Sequence, residues 1–305
     1  MRNEVRNIPA SVHDRLKRLA GQKERPFQEL LYYYSIERFL YRLSKSPHAS
    51  NFVLKGGLMF FGWGVQLRRP TRDIDVQGYM SNTIENLVNI VKDICLQGVE
   101  PDGMRFDSNS VRFEQIMNEA DYQGRRLYFT GYLGQASIHL HLDVSFANVI
   151  TPHEIIFEYP SLLGMPKFKM RGYPYETAIA EKFQAMVDLG SINDRMKDFY
   201  DIWLLSQQVN IPGKTLVSAI QATFRTRNTP LPKNIPTALT LEFGQLRQPD
   251  WDRFLERSIL DPLAIPPLDE VIAVLREFLW PVVSAAENNV TFDNIWIAGG
   301  PWEPI

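Results

Sequence analysis

Residues 54–76, LKGGLMFFGWGVQLRRPTRDIDV, constrain the fold of this chain more than any other stretch. Phe52-Val53-Leu54 is short and apolar, as a buried strand is, and Gly56-Gly57 follows it as a turn. Asp73 and Asp75 then alternate with Ile74 and Val76. Side chains two apart on a strand share a face. Both carboxylates therefore stand on one side while Ile74 and Val76 anchor the other. Two adjacent carboxylates repel, and a bound cation is the usual compensation. Oxygen-only ligands favour Mg²⁺, which brings nucleotide phosphates with it. Gly56 and Gly57 let backbone amides approach a phosphate at a helix start, and Lys55 adds positive charge. The Gly-Lys-Ser/Thr of a Walker loop is missing.

A third carboxylate strengthens this reading. In SIHLHLDVSF, residues 137–146, the period of two puts His139, His141, Asp143 and Ser145 on one face. Asp143 can then join Asp73 and Asp75 from a neighbouring strand, and three convergent carboxylates suit a two-metal centre for phosphoryl or nucleotidyl transfer. His-x-His-x-Asp also suits a transition metal. Half-buried polar residues on a sheet face are the simpler reading of the histidines, with His141 the better placed of the two. Arg68, Arg69 and Arg72 precede Asp73, positioned to balance the carboxylates or grip phosphate; Arg72 is the nucleotide-binding candidate.

Residues 10–45 read as two helices, the first capped by Ser11, the second carrying an apolar stripe of Phe27, Leu30, Leu31, Tyr34, Phe39 and Leu40. Residues 83–97 repeat apolar positions at helical spacing. VRFEQI, RRLYFTGYL and SIHLHLDVSF predict three consecutive strands. FEYPSLLGMPKFKMRGYP reads as an irregular domain boundary, after which helices are expected over 176–189, 198–208, 251–258 and 267–280. The two tryptophans of the tail TFDNIWIAGGPWEPI predict that it docks on the body. The expected class is α+β: N-terminal helices, a small mixed sheet and a helical C-terminal half, divided into 1–160 and 161–305.

Composition narrows the setting. A formal charge of −2 gives no global attraction to nucleic acid, so such a substrate needs a local basic surface. Lys167, Lys169 and Arg171, with Arg125, Arg126, Arg225 and Arg227, are the candidates for one. Cys95 is the only cysteine, which excludes an intrachain disulfide. The N-terminus lacks the apolar core of a signal peptide, and no apolar run is long enough to span a bilayer. A cytoplasmic protein with no membrane partner is expected.

In the helical half, AIAEKFQAMV sets Lys182 in an otherwise apolar helix, where a lysine needs a phosphate or carboxylate partner. DRMKDFYDIWLL follows, with Asp198 and Asp201 three apart and on one helix face. Spacing alone leaves function and a structural ion pair equally open for them. LKGGLMFF, RRPTRDIDV, LHLDVSF, AEKFQAMV and RMKDFYDIW together resemble the AbiEii-type nucleotidyltransferases, toxins of AbiE-like toxin–antitoxin and phage-defence systems within the DNA polymerase β-like superfamily. The likeness runs from about residue 25 to the tail.

That resemblance implies a catalytic sheet and a helical domain that completes the active site, with Mg²⁺-dependent transfer from an NTP. It implies that Gly56 and Gly57 grip nucleotide, that Asp73, Asp75 and Asp143 bind metal, and that Lys182 contacts nucleotide phosphates. Asp198 and Asp201 match its last motif, with the choice between them open. It further implies an RNA acceptor, tRNA first, and a cognate antitoxin. Two alternatives stand beside this: transfer to a small molecule or protein side chain, and a catalytically silent binding module of the same fold.

Overall fold

The computed structural model describes residues 7–66, 69–115, 124–261 and 263–305, and the chain forms two compact units. The first comprises Met1–Gly62, Thr71–Ala147 and Ile155–Gly172; the second comprises Trp63–Pro70, Asn148–Glu154 and Tyr173–Ile305. The class is α+β.

The first unit opens with α1 (Ile8–Lys23) and α2 (Phe27–Lys45). Asn7, rather than Ser11, caps α1: its Oδ1 accepts from Ala10 N at 3.1 Å. Pro9, in the first turn, has no N–H to satisfy, so the helix starts four residues earlier than the serine implies. From Leu30 to Leu43, α2 is largely buried, and Phe39 lies 4.3 Å from Phe129 between ring centroids. Burying that helix also buries Arg42, whose guanidinium grips Asp102 at 2.7 and 3.1 Å. Two charges removed from water persist because each satisfies the other.

The sheet follows. It is built from β1 (Phe52–Lys55), β2 (Ile74–Gly78), β3 (Met104–Gln115), β4 (Arg125–Leu133), β5 (Ala136–Ser145), β6 (Ile155–Tyr159) and β7 (Phe168–Gly172). The order is β3-β4-β5-β2-β1-β7-β6 among the described residues. Strands β2 and β5 are parallel, as are β1 and β7; the other neighbours are antiparallel. A four-residue helix, α3 (Met59–Gly62), follows the glycine turn, and α4 (Ile84–Leu96) buries Leu87, Ile90, Val91 and Ile94 at helical spacing. Cys95, on α4, is buried, and that burial pushes its thiol up to about 12.

The three consecutive strands appear as expected, Ile116 lying outside the described residues. The passage 157–174 is not irregular: most of β6 and all of β7 lie within it. Residue 160, where the sequence places a boundary, falls between these two sheet strands. The Pro and Gly that suggested a loop occupy the connection, and alternate burial of Phe157, Tyr159, Phe168 and Met170 makes the strands.

The second unit is mainly helical: α5 (Tyr175–Leu189), α6 (Met196–Gln208), α7 (Gly213–Thr226), α8 (Leu241–Arg257) and α9 (Leu268–Asn288). Helix α9 contacts α6, α7 and α8, and its Val271, Leu275, Phe278, Leu279 and Val282 are buried. The tail docks as expected. Strands β8 (Ile211–Pro212), β9 (Asn294–Trp296) and β10 (Trp302–Pro304) form a small sheet. Trp296 Nε1 donates to Ser206 O at 2.7 Å and Trp302 Nε1 to Phe278 O at 3.0 Å. Among the described residues, no helix is long and apolar enough to cross a membrane.

Candidate active site

The carboxylates take their places from sheet register. Lys55 pairs with Asp75 between β1 and β2, Asp75 with Asp143 between β2 and β5, and Asp143 with Arg126 between β5 and β4. Four adjacent strands thus present one row, Lys55–Asp75–Asp143–Arg126, with charges plus, minus, minus, plus. Register partners stand about 5 Å apart at Cβ. The two central carboxylates are therefore direct neighbours, and the row carries its own cations at its ends. Ile74, Val76, Leu142 and Val144 are buried on the opposite face.

Arg126 is the residue that sequence reasoning placed elsewhere, in a basic rim. Its Nε donates to Asp143 Oδ1 at 2.7 Å and its Nη2 to Oδ2 at 2.5 Å, a bidentate clamp. A signal existed: Gly134-Gln135 makes a two-residue turn, with φ +58° at Gly134, and counting back from it sets Arg126 opposite Asp143. Asp73, just before β2, meets a different partner. Its Oδ1 lies 2.8 Å from His141 Nε2, so with the carboxylate ionised the proton of this bond sits on the imidazole. Tyr32 stands nearby; burial foremost, then the negative charge of Asp73, pushes its hydroxyl up to about 12. That hydroxyl donates to Arg72 O at 3.0 Å.

The glycine turn is fitted against this row. Gly56 adopts φ +69°, and a Cβ there would overlap the Asp75 carboxylate, lying 2.9 Å from its Cγ. Only glycine supplies both the backbone conformation and the space. The Gly56–Leu58 turn then leads into α3, so Gly56 holds backbone and carboxylate in close approach.

The donor set suits a hard divalent cation in type: oxygen ligands, two of them in register. Asp73, Asp75 and Asp143 share the face that the spacing predicts. Yet Asp143 is clamped by Arg126 and Asp73 is held by His141, and no group of three or more His, Cys, Asp or Glu is gathered to hold a metal among the described residues. A cation entering here would take over the compensation that Arg126 provides. His139 has a milder setting, 3.3 Å from Thr130 Oγ1.

In the second unit, Lys182 of α5 meets both carboxylates of α6. Its Nζ lies 2.6 Å from Asp198 Oδ1 and 2.8 Å from Asp201 Oδ2. Arg69 clamps Asp201 at 2.7 Å through both Nε and Nη2, and Arg195 Nε donates to Asp198 Oδ2 at 2.7 Å. Both carboxylates are buried. Burial alone would push Asp198 up, but Lys182 and Arg195 overbalance it and hold it down to about 2. Asp201 is likewise lowered, with burial opposed by Arg69 and Lys182. Lys182 is raised: burial works against its charge, and the two aspartates outweigh it. Three cations on two carboxylates leave a positive surplus. Asp198 and Asp201 thus both act on Lys182, and neither is singled out. Arg68 lies outside the described residues.

The rest of the expected basic rim is largely committed. Lys167 pairs with Glu158 at 2.7 Å, Arg171 donates to Ser50 O at 2.5 Å, and Arg227 donates to Gln184 Oε1 at 2.7 Å.

A model of the family described as nucleotidyl transferase AbiEii toxin, type IV TA system, matches residues 38–274. Two solved structures from Helicobacter pylori are similar. JHP933 shares 16% identity at a TM-score of 0.47, over 86% of this chain and 93% of its own. A protein described as a nucleotidyltransferase shares 16% at 0.46, over 86% and 96%. No curated protein matches the chain.

Proposed function

The chain belongs to the AbiEii family of nucleotidyltransferase toxins from type IV toxin–antitoxin systems, and from this premise we propose a cytoplasmic, Mg²⁺-dependent enzyme that moves a nucleotide from an NTP to an RNA. The acceptor we favour is tRNA, whose modification would block translation in a phage-defence setting, under restraint by a cognate antitoxin. The observation that carries the chemistry is the Lys55–Asp75–Asp143–Arg126 row with Gly56 pressed against Asp75. In-register carboxylates are costly in a fold that does not use them.

In the proposed reaction an acceptor hydroxyl oxygen bonds to the α-phosphorus as the bond to the pyrophosphate oxygen breaks. The hydroxyl proton passes to a carboxylate of the row, and pyrophosphate leaves. Asp73, Asp75 and Asp143 would hold Mg²⁺, which when bound neutralises phosphate charge and acidifies the attacking hydroxyl. The Gly56-Gly57 amides lie against the phosphates, with Lys55 and Arg72 adding charge. Lys182 contacts a nucleotide phosphate, kept protonated and aimed by Asp198 and Asp201. Arg126 keeps Asp143 oriented through its bidentate clamp.

The test supplies purified protein with Mg²⁺ and each labelled NTP in turn, with cellular RNA, protein and small-molecule fractions as acceptors. Labelled RNA with wild type, none with Asp75→Asn, and unchanged circular dichroism are expected. Equal labelling by both, or label only in a non-RNA fraction, sinks the proposal.

A further inference from the structure

Within the second unit, a cavity of about 640 Å³ opens between the start of α6 and the end of α8. Arg195, just before α6, and Lys197, in its first turn, line it from one side, Arg253 and Arg257 of α8 from the other, and all four are exposed. Two carboxylates share the wall, Asp194 and Asp250. Asp250 is already engaged by Arg247, at 3.1 Å, and by Arg253. Lys197 and Arg257 make no side-chain hydrogen bond or ion pair among the described residues, and Lys197 acts on the buried Asp198 through its charge alone. In a chain whose net charge is −2, this is a local excess of positive charge held around a concavity. Long-range attraction of an anion needs such an excess.

The cavity also has an aromatic wall. Phe254 is half-buried, its ring 5.7 Å from Tyr200 and 5.4 Å from Trp251 between centroids. That packing fixes the ring and leaves part of it at the cavity. A fixed aromatic surface amid unpaired Lys and Arg is the pairing that single-stranded nucleic acid uses: bases stack on the ring and phosphates meet the cations. An acidic protein segment would use the cations and has no need of the ring.

We propose that the cavity lined by Arg195, Lys197, Arg253, Arg257 and Phe254 is a phosphate-binding subsite for single-stranded RNA, with a base against Phe254. This deepens the RNA reading above and rests on it for the identity of the acceptor. The contacts are to backbone phosphate, so the subsite positions RNA without reading its sequence. Phosphate could also come from a free NTP; the experiment separates the two sources.

Binding of a short fluorescein-labelled single-stranded RNA is measured by anisotropy over a salt series, for wild type and for the Lys197→Glu/Arg257→Glu double variant. Both residues are exposed and make no side-chain hydrogen bond or ion pair, so the fold should survive, which circular dichroism checks; Lys197→Gln/Arg257→Gln, which puts no negative charge near Asp198, serves in its place if it does not. Arg195 is left alone because it holds Asp198. The expected result is RNA affinity lower by at least tenfold (~) and a salt slope reduced by about 0.7 per lost phosphate contact. Affinity for NTP, by calorimetry, should not move. Unchanged RNA affinity overturns the subsite. An equal loss of NTP affinity reassigns the cavity to triphosphate, and polyglutamate competing as well as RNA reassigns it to an acidic protein. Wild type that binds RNA here yet labels none leaves the subsite standing and fells the transferase reading; a double variant that binds and labels RNA like wild type does the reverse.

Discussion

Gly56 has no room for a side chain. Its φ of +69° costs an L-residue about 1–2 kcal/mol, and a Cβ there meets the Asp75 carboxylate. Gly56→Ala should therefore lower Tm and reduce nucleotide transfer by an order of magnitude or more (~), since relieving the overlap must move Asp75. A variant with wild-type transfer would show that this approach has no catalytic role. Arg126→Gln probes the row from its other end. Without the guanidinium, Asp75 and Asp143 repel with less compensation, so Tm falls. Mg²⁺ should then raise Tm more in the variant than in wild type, because the metal takes over the lost charge; an equal rise in both would count against a shared cation site. Asp75 and Asp143 were legible in the sequence because period-two alternation assigns faces. Arg126 was not, because its partner depends on register across two strands, and register is set by the turn at Gly134 rather than by the pattern within either strand.

At the scale of elements, α6 concentrates two buried carboxylates three residues apart, and its stability depends on what reaches them from elsewhere. The Asp198 carboxyl is depressed from 3.8 to about 2. A depressed acid stabilises the fold above its unfolded value and loses that contribution as pH falls through the folded one. Acid unfolding of the second unit should accordingly steepen between about pH 4 and pH 2, and Lys182→Met should move it to higher pH. Lys182, raised above 10.5, has the opposite sign: its contribution is complete below that value and is lost as pH rises through the folded pKa. Arg69→Met leaves Asp201 with Lys182 alone and should cost about 3–5 kcal/mol in urea unfolding; a loss under 1 kcal/mol (~) would mean Lys182 suffices. The sequence made Lys182 conspicuous because an apolar helix cannot leave a lysine unpaired. Arg69 lay hidden among three nearby arginines, 132 positions from its partner. Strands β6 and β7 were obscured by Pro and Gly in their connection. Helix α7 escaped because it opens on Gly213 and carries β-branched residues of weak helix propensity, its helical state coming from burial of Leu216, Ile220 and Phe224.

At the scale of the whole molecule, neither unit is one stretch of chain. The second borrows Trp63–Pro70, and with it Arg69; the first takes back Ile155–Gly172. A fragment of residues 1–160 lacks β7, the neighbour of β1, and should fail to give the dispersed NMR spectrum of a folded domain. A fragment of residues 173–305 lacks Arg69 and should be less stable than the Arg69→Met full chain.

Cys95 has a practical corollary. With its pKa near 12 rather than 9.0, the buried thiol holds about a thousandfold less thiolate at neutral pH than an exposed one. Maleimide should pass it by in the native state and find it on unfolding. The protein therefore comes with a chemically silent background: one cysteine added at the surface would take a fluorophore or spin label alone, and slow modification of Cys95 would time the opening of α4.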